Sequence, residues 1–209
     1  GCMLLTEPQA GSDAGNLRTR AVRTANSYLI NGSKALITSA QAARFACVIA
    51  VTDPDAGKKG ISAFLVPTDR PGYQVLRHER KLGHRSNQTC QVELENLEVP
   101  EEDMLGAPGE GLKIALSGLD AGRIAVAAQS IGVARAAFEA ALGYANERET
   151  FGRKIVGHQA VAFQLAEMAT QIEVARSMCH RTARLKEARL HCIKEASMAK
   201  LYASEMAEQ

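Results

Sequence analysis

Near the start of the sequence stands Leu5-Thr6-Glu7-Pro8-Gln9-Ala10-Gly11-Ser12-Asp13, a stretch with one proline, one glycine and several small polar side chains. A loop of this composition exposes backbone N–H groups and hydroxyls, which suit the edges of an anion or a heterocycle. An ordinary capped turn ahead of a strand uses the same residues. Asp120 and Arg123 are three apart and share a helix face, where a plain ion pair worth about 0.2–0.5 kcal/mol is the simplest reading. Thr38 ends a strand-like run, and on residue type alone it is simply a good β former. Cys179-His180 and His191-Cys192 offer four soft or borderline metal ligands. The five cysteines, however, are odd in number and show no C-x-x-C spacing. Reduced side chains on two helices joined by a short turn explain them better, so no metal site is expected.

These groups must be positioned by two kinds of element. Up to about Pro100 the pattern is one of strands and turns. Tyr28-Leu29-Ile30 runs into Asn31-Gly32, a hairpin signal because both residues tolerate positive φ, with Lys34 to Thr38 as the answering strand. Phe45 to Thr52 is apolar and rich in branched residues. Ile61 to Val66 and Thr89 to Val99 follow, separated by turn-forming segments. Short strands at this spacing predict an antiparallel β-barrel or sandwich. From Gly111 the period becomes helical. Ala127, Ile131, Ala134, Phe138, Ala141 and Ala145 form one stripe; Val161, Leu165, Met168, Ile172, Ala175 and Cys179 form a second. A third segment, Lys194 to Glu208, carries Ala196, Ala199, Ala203 and Met206. The expected class is therefore α+β: a β domain over residues 1–104, then an incomplete antiparallel helical bundle over 105–209.

Composition narrows the function. In 209 residues, 46% hydrophobic, there is material for a sizeable core. Charge is nearly balanced, 25 basic against 23 acidic residues for a net +2, so no nucleic-acid partner is expected. No uninterrupted apolar run approaches the roughly 18 residues of a membrane span. The first residues, Gly1-Cys2-Met3-Leu4-Leu5, do not read as a signal peptide, and without an initiator methionine they suggest part of a longer chain.

Taken in order, the motifs resemble those of the acyl-CoA dehydrogenases. Thr6-Glu7-Pro8-Gln9-Ala10-Gly11-Ser12-Asp13 is similar to a signature of that family's middle β domain. Asn31-Gly32-x-Lys34-x-x-Ile37-Thr38, Lys81-Leu82-Gly83-x-Arg85, Glu95-Asn96-Leu97-x-Val99-Pro100 and Leu105-Gly106 follow in the family's order. So do Leu119-Asp120-x-x-Arg123, Glu147-Arg148-x-x-Phe151-Gly152 and His158-Gln159. Ile193-Lys194-Glu195-Ala196-Ser197-Met198-Ala199-Lys200 resembles the short-chain and short/branched-chain members in particular.

The resemblance implies noncovalently bound FAD and α,β-desaturation of an acyl-CoA thioester, with electrons passed to an electron-transfer flavoprotein. It implies a homotetramer in the bacterial cytoplasm or mitochondrial matrix. Leu5, Thr6, Gly11, Ser12, Leu36, Ile37 and Thr38 would hold the flavin side of the cofactor, with the Thr38 hydroxyl near N5. The family often has Trp where this chain has Leu36. Arg148, Phe151 and Gln159 would reach the FAD of a neighbouring subunit; a guanidinium matches a diphosphate in fork geometry. Ser12, Asp120 and Arg123 would contact acyl-CoA. Some members carry the base at the position of Gly122, and glycine cannot take a proton. Glu7, Glu147 and Glu167 match no family base position, so the base is expected beyond Gln209. Other flavoenzymes of this fold (acyl-CoA oxidase, nitroalkane oxidase, monooxygenase) and a non-catalytic assembly fragment are the alternatives.

Overall fold

The structure, a computed structural model, describes all 209 residues. It divides into two compact units, Gly1–Ser117 and Gly118–Gln209. The first is built on an eight-stranded sheet from β1 (Cys2–Leu4), β2 (Arg20–Arg23), β3 (Ser27–Thr38), β4 (Phe45–Val51), β5 (Ile61–Pro67), β6 (Tyr73–His78), β7 (Thr89–Pro100) and β8 (Met104–Leu105). Its order is β6-β7-β3-β2-β4-β5-β8, with β1 also pairing β4. The sheet is open rather than a closed barrel. It is mixed rather than purely antiparallel, because β1 and β2 both pair β4 in parallel. β1, β2 and β6 are not expected from the sequence: Pro71-Gly72 marks a turn just before β6, but all three strands are short and lack a clean apolar alternation.

β4 is apolar throughout because both its faces are covered. Ala46, Val48 and Ala50 enter one core with Leu4, Ile30, Phe64, Val66, Val92 and Leu94. Ile49 and Val51 enter another with Leu5, Leu17, Ile61, Ala63 and Ala115. Each fully buried Leu, Ile or Phe here contributes about 1.5–3 kcal/mol relative to exposure.

The expected Asn31-Gly32 hairpin does not form. β3 runs unbroken from Ser27 to Thr38 and pairs along its length with β7. Between Ile30 and Gly32 the extra residue lies on β7, where Asn96 takes φ +47° and donates its N–H to Asn31 Oδ1 at 2.8 Å. Gly32 is needed for another reason: at φ +150° a Cβ would stand 2.5 Å from Thr19 Oγ1. A dipeptide that signals a turn here serves a close strand approach.

The second unit holds most of α1 (Gly111–Ala145), then α2 (Gln159–Glu187) and α3 (Ile193–Met206). Ala127, Ile131, Ala134, Ala175, Cys179, Ala199, Ala203 and Met206 form its core, and small residues there let the axes approach closely. Cys179 Sγ lies 3.8 Å from the Ile124 carbonyl, while Ala134 and Ala137 share a groove with Gln164 and Met168. α1 and α2 are therefore antiparallel. By length and composition α1 could cross a membrane. Its mean hydropathy is high, but Asp120, Arg123, Gln129, Ser130, Arg135 and Glu139 leave no uninterrupted apolar run of that length.

Candidate functional site

The polar loop folds around a buried charge pair. Glu7 and Ala10 exchange backbone hydrogen bonds of 3.0 and 3.1 Å, closing a tight turn over Pro8-Gln9. The Glu7 side chain points inward, 1% exposed, and its Oε1 accepts from Lys34 Nζ at 2.9 Å and from the Thr19 N–H at 3.0 Å. Oε2 accepts from the Arg18 N–H and from Gln9 Nε2. Lys34, fully buried, spends its remaining donors on the carbonyls of Leu5 (3.1 Å) and Ile49 (2.8 Å). Burial acts to raise the Glu7 carboxyl, but the Lys34 ammonium and the hydrogen bonds from Thr19 and Arg18 hold it down at about 2. Burial also lowers Lys34, to about 8, despite Glu7. At neutral pH both stay charged. The pair ties the loop to β3 and β4, and the Ala35 N–H adds a 2.9 Å bond to the Thr6 carbonyl.

This brings Leu5, Thr6, Gly11 and the end of β3 into one neighbourhood. A Cβ on Gly11 would sit 4.0 Å from Thr6 Cγ2. Leu5 and Ile37 turn their side chains into the core, 6% and 2% exposed, so what they can offer a ligand is backbone. Ser12 and Thr38 are exposed and Thr6 half-buried. Between Lys34 and Ile37 an extra residue is inserted into β3. Without that bulge, two residues three apart would face opposite sides of the sheet; with it, both are buried. The inserted turn holds Leu36 at φ +58° with its side chain 62% exposed. A bulky residue in the left-handed region costs roughly 1–2 kcal/mol, and such strain clusters at functional sites.

In the helical unit, β9 (Glu149–Thr150) and β10 (Arg153–Lys154) form a hairpin between α1 and α2. Phe151 and Gly152 make its two-residue turn at φ +52° and +73°, the sign pattern of a type I′ turn. Phe151 is 97% exposed at the tip. Arg148, at the base, accepts a 2.8 Å bond from the Ile155 N–H on its carbonyl, and its exposed guanidinium joins no salt bridge. Gln159 is exposed as the first residue of α2. These three residues lie on one short segment.

On α1, Asp120 and Arg123 do form an ion pair, both partly exposed. Gly122 between them faces open space, with nothing within 4 Å of where a Cβ would be. Of the carboxylates, Glu7 is consumed by Lys34, and Glu147 and Glu167 are solvated. None is both desolvated and free, as a base for a weak carbon acid must be. Sequence reasoning saw Glu7 and Lys34 only as motif letters and missed their pairing; a lysine at an inward strand position was the available signal.

Two family models cover the chain: acyl-CoA dehydrogenase, middle domain, over residues 2–97, and acyl-CoA dehydrogenase, C-terminal domain, over residues 109–209. An acyl-CoA dehydrogenase of Bacillus subtilis is 48% identical over 99% of the chain and 55% of its own length. The rat mitochondrial short/branched chain specific acyl-CoA dehydrogenase is 46% identical over 99% of the chain and 48% of its own length. Among solved structures, butyryl-CoA dehydrogenase from Megasphaera elsdenii superposes with a TM-score of 0.96 at 40% identity, over 99% of this chain and 54% of that one. The chain spans about half the length of the curated relatives it matches.

Proposed function

The chain belongs to the acyl-CoA dehydrogenase family, and we propose that it forms the FAD-holding part of an oxidoreductase that desaturates short or short-branched acyl-CoA. The observation that carries the reading is the pairing of two exposed, strained apolar side chains with uncommitted polar groups: Leu36 beside Thr38, and Phe151 beside Arg148.

The donor set suits FAD. Hydroxyls of Thr6, Ser12 and Thr38 and the backbone of the 5–12 loop would take the edge of the isoalloxazine. Leu36, smaller than the Trp common in the family, would cover less of a ring. Arg148, free of any internal carboxylate, would take the diphosphate of a neighbouring copy's cofactor; Phe151 would cover its adenine or ribityl face, and Gln159 would hydrogen-bond the adenosine half. Asp120 and Arg123 would meet the CoA portion. FAD, when bound, supplies the acceptor for the hydride that leaves the β-carbon. The residues of this chain orient the thioester and exclude water, which strengthens every hydrogen bond to the developing enolate. Removal of the α-proton is assigned to a carboxylate outside residues 1–209, because no carboxylate here is both desolvated and free. Electron-transfer flavoprotein as acceptor, a homotetramer, and a cytoplasmic or matrix location belong to the same proposal.

The test is reconstitution of the purified full-length apo-protein with FAD. Expected are a stable yellow complex and dye reduction by butyryl- or 2-methylbutyryl-CoA; oxygen consumption instead of dye reduction would point to an oxidase. Arg148→Ala should weaken FAD binding about ten- to hundredfold, as expected for losing charge-assisted bonds of about 1.5–3 kcal/mol, with the apo-protein's melting temperature unchanged. A protein that stays colourless defeats the proposal.

A further inference from the structure

We infer that His158 is a positioning residue that sets the Arg148–Phe151 hairpin in its flavin-facing shape, through a ring whose Nδ1 accepts and whose Nε2 donates; the inference rests on the cofactor reading above. His158 occupies the N-cap position of α2, yet its side chain makes no capping bond. Its backbone carbonyl accepts the first helical bonds, from Val161 at 3.0 Å and Ala162 at 2.9 Å. The ring instead reaches back to the hairpin. Nε2 stands 3.2 Å from Thr150 Oγ1 and 3.3 Å from the Thr150 carbonyl, while Nδ1 stands 3.0 Å from Arg153 Nη2. The Phe151 ring meets the imidazole edge-on, centroids 6.0 Å apart at 79°. One side chain therefore touches Thr150, Phe151 and Arg153, on both strands and at the tip.

The chemistry of the partners fixes the proton. A guanidinium only donates, so Nδ1 must offer its lone pair to Arg153. Nε2 then carries the hydrogen and donates it to the Thr150 carbonyl. Removing the ring should thus release a strained turn that has no other side-chain support at its tip.

The experiment compares wild type, His158→Ala and His158→Gln in the full-length protein by FAD titration and by hydrogen–deuterium exchange of the 148–158 peptide. Glutamine can still accept from Arg153 and donate to Thr150. Expected for His158→Ala is roughly tenfold weaker FAD binding, on the scale of losing one to two net hydrogen bonds, with faster exchange confined to the hairpin. His158→Gln should restore most of the affinity. Unchanged hairpin exchange in His158→Ala overturns the inference, as does a His158→Gln protein that binds FAD no better than His158→Ala. Faster hairpin exchange in a protein that takes up no flavin would support the brace while sinking the cofactor reading.

Discussion

Lys34→Met should destabilise the β unit by about 3–5 kcal/mol, the usual consequence of leaving a buried charge without its partner, read as a fall in the urea midpoint at constant m. The Glu7 carboxylate would keep its N–H donors from Arg18 and Thr19 but lose its only cation, in a pocket where its side chain is 1% exposed. The carbonyls of Leu5 and Ile49 would lose their shared donor as well. The double change Glu7→Gln with Lys34→Met removes both charges and should recover part of the loss, since the pair itself is costly to bury. Acid probes the same pair. A carboxyl held at about 2, below the ordinary 4.5, contributes stability that is complete above its unfolded value and lost as pH falls through its folded one. Unfolding free energy should therefore decline from about pH 4.5 toward pH 2, and Glu7→Gln should flatten that decline. A Lys34→Met protein with an unshifted midpoint would show that the two charges do not depend on each other.

The same residues show where sequence patterns succeed and where they fail. The helix stripes were legible because a period near 3.6 is written into neighbours on one chain: Ala127, Ile131 and Ala134 point to the core as their spacing requires. The β4 run was legible for the same local reason. What could not be read was anything decided by a partner strand. Asn31-Gly32 has the chemistry of a hairpin turn, yet β7 absorbs the irregularity at Asn96 and β3 continues. The bulge that lets Lys34 and Ile37 both face inward depends on register against Val92 and Cys90. Lys34 itself follows Tyr28 and Ile30 on the inward alternation, but its partner Glu7 sits on a loop 27 residues away, so the pairing was hidden. At the Phe151 hairpin the resemblance to a known family named the residues, while the left-handed tip and the support from His158 are conformational facts with no one-residue signature.

Phe151→Asn should separate cofactor binding from folding. Asn-Gly is a preferred type I′ pair, whereas phenylalanine at φ +52° pays roughly 1–2 kcal/mol of backbone strain. The substitution removes that strain and gives up an edge-to-face contact with His158 worth about 0.5–1.5 kcal/mol. Because the ring is 97% exposed, almost no other burial is lost. The melting temperature of the apo-protein should therefore hold or rise slightly. If the ring covers a face of FAD, its removal forfeits about 1–3 kcal/mol of stacking, and the dissociation constant should rise about ten- to hundredfold at 1.4 kcal/mol per decade. Stability and affinity would move in opposite directions at one position. That divergence is what a site keeping a strained residue for its ligand produces, and a purely structural turn does not. Equal affinity in Phe151→Asn and wild type, by flavin fluorescence titration, would remove the hairpin tip from the cofactor site.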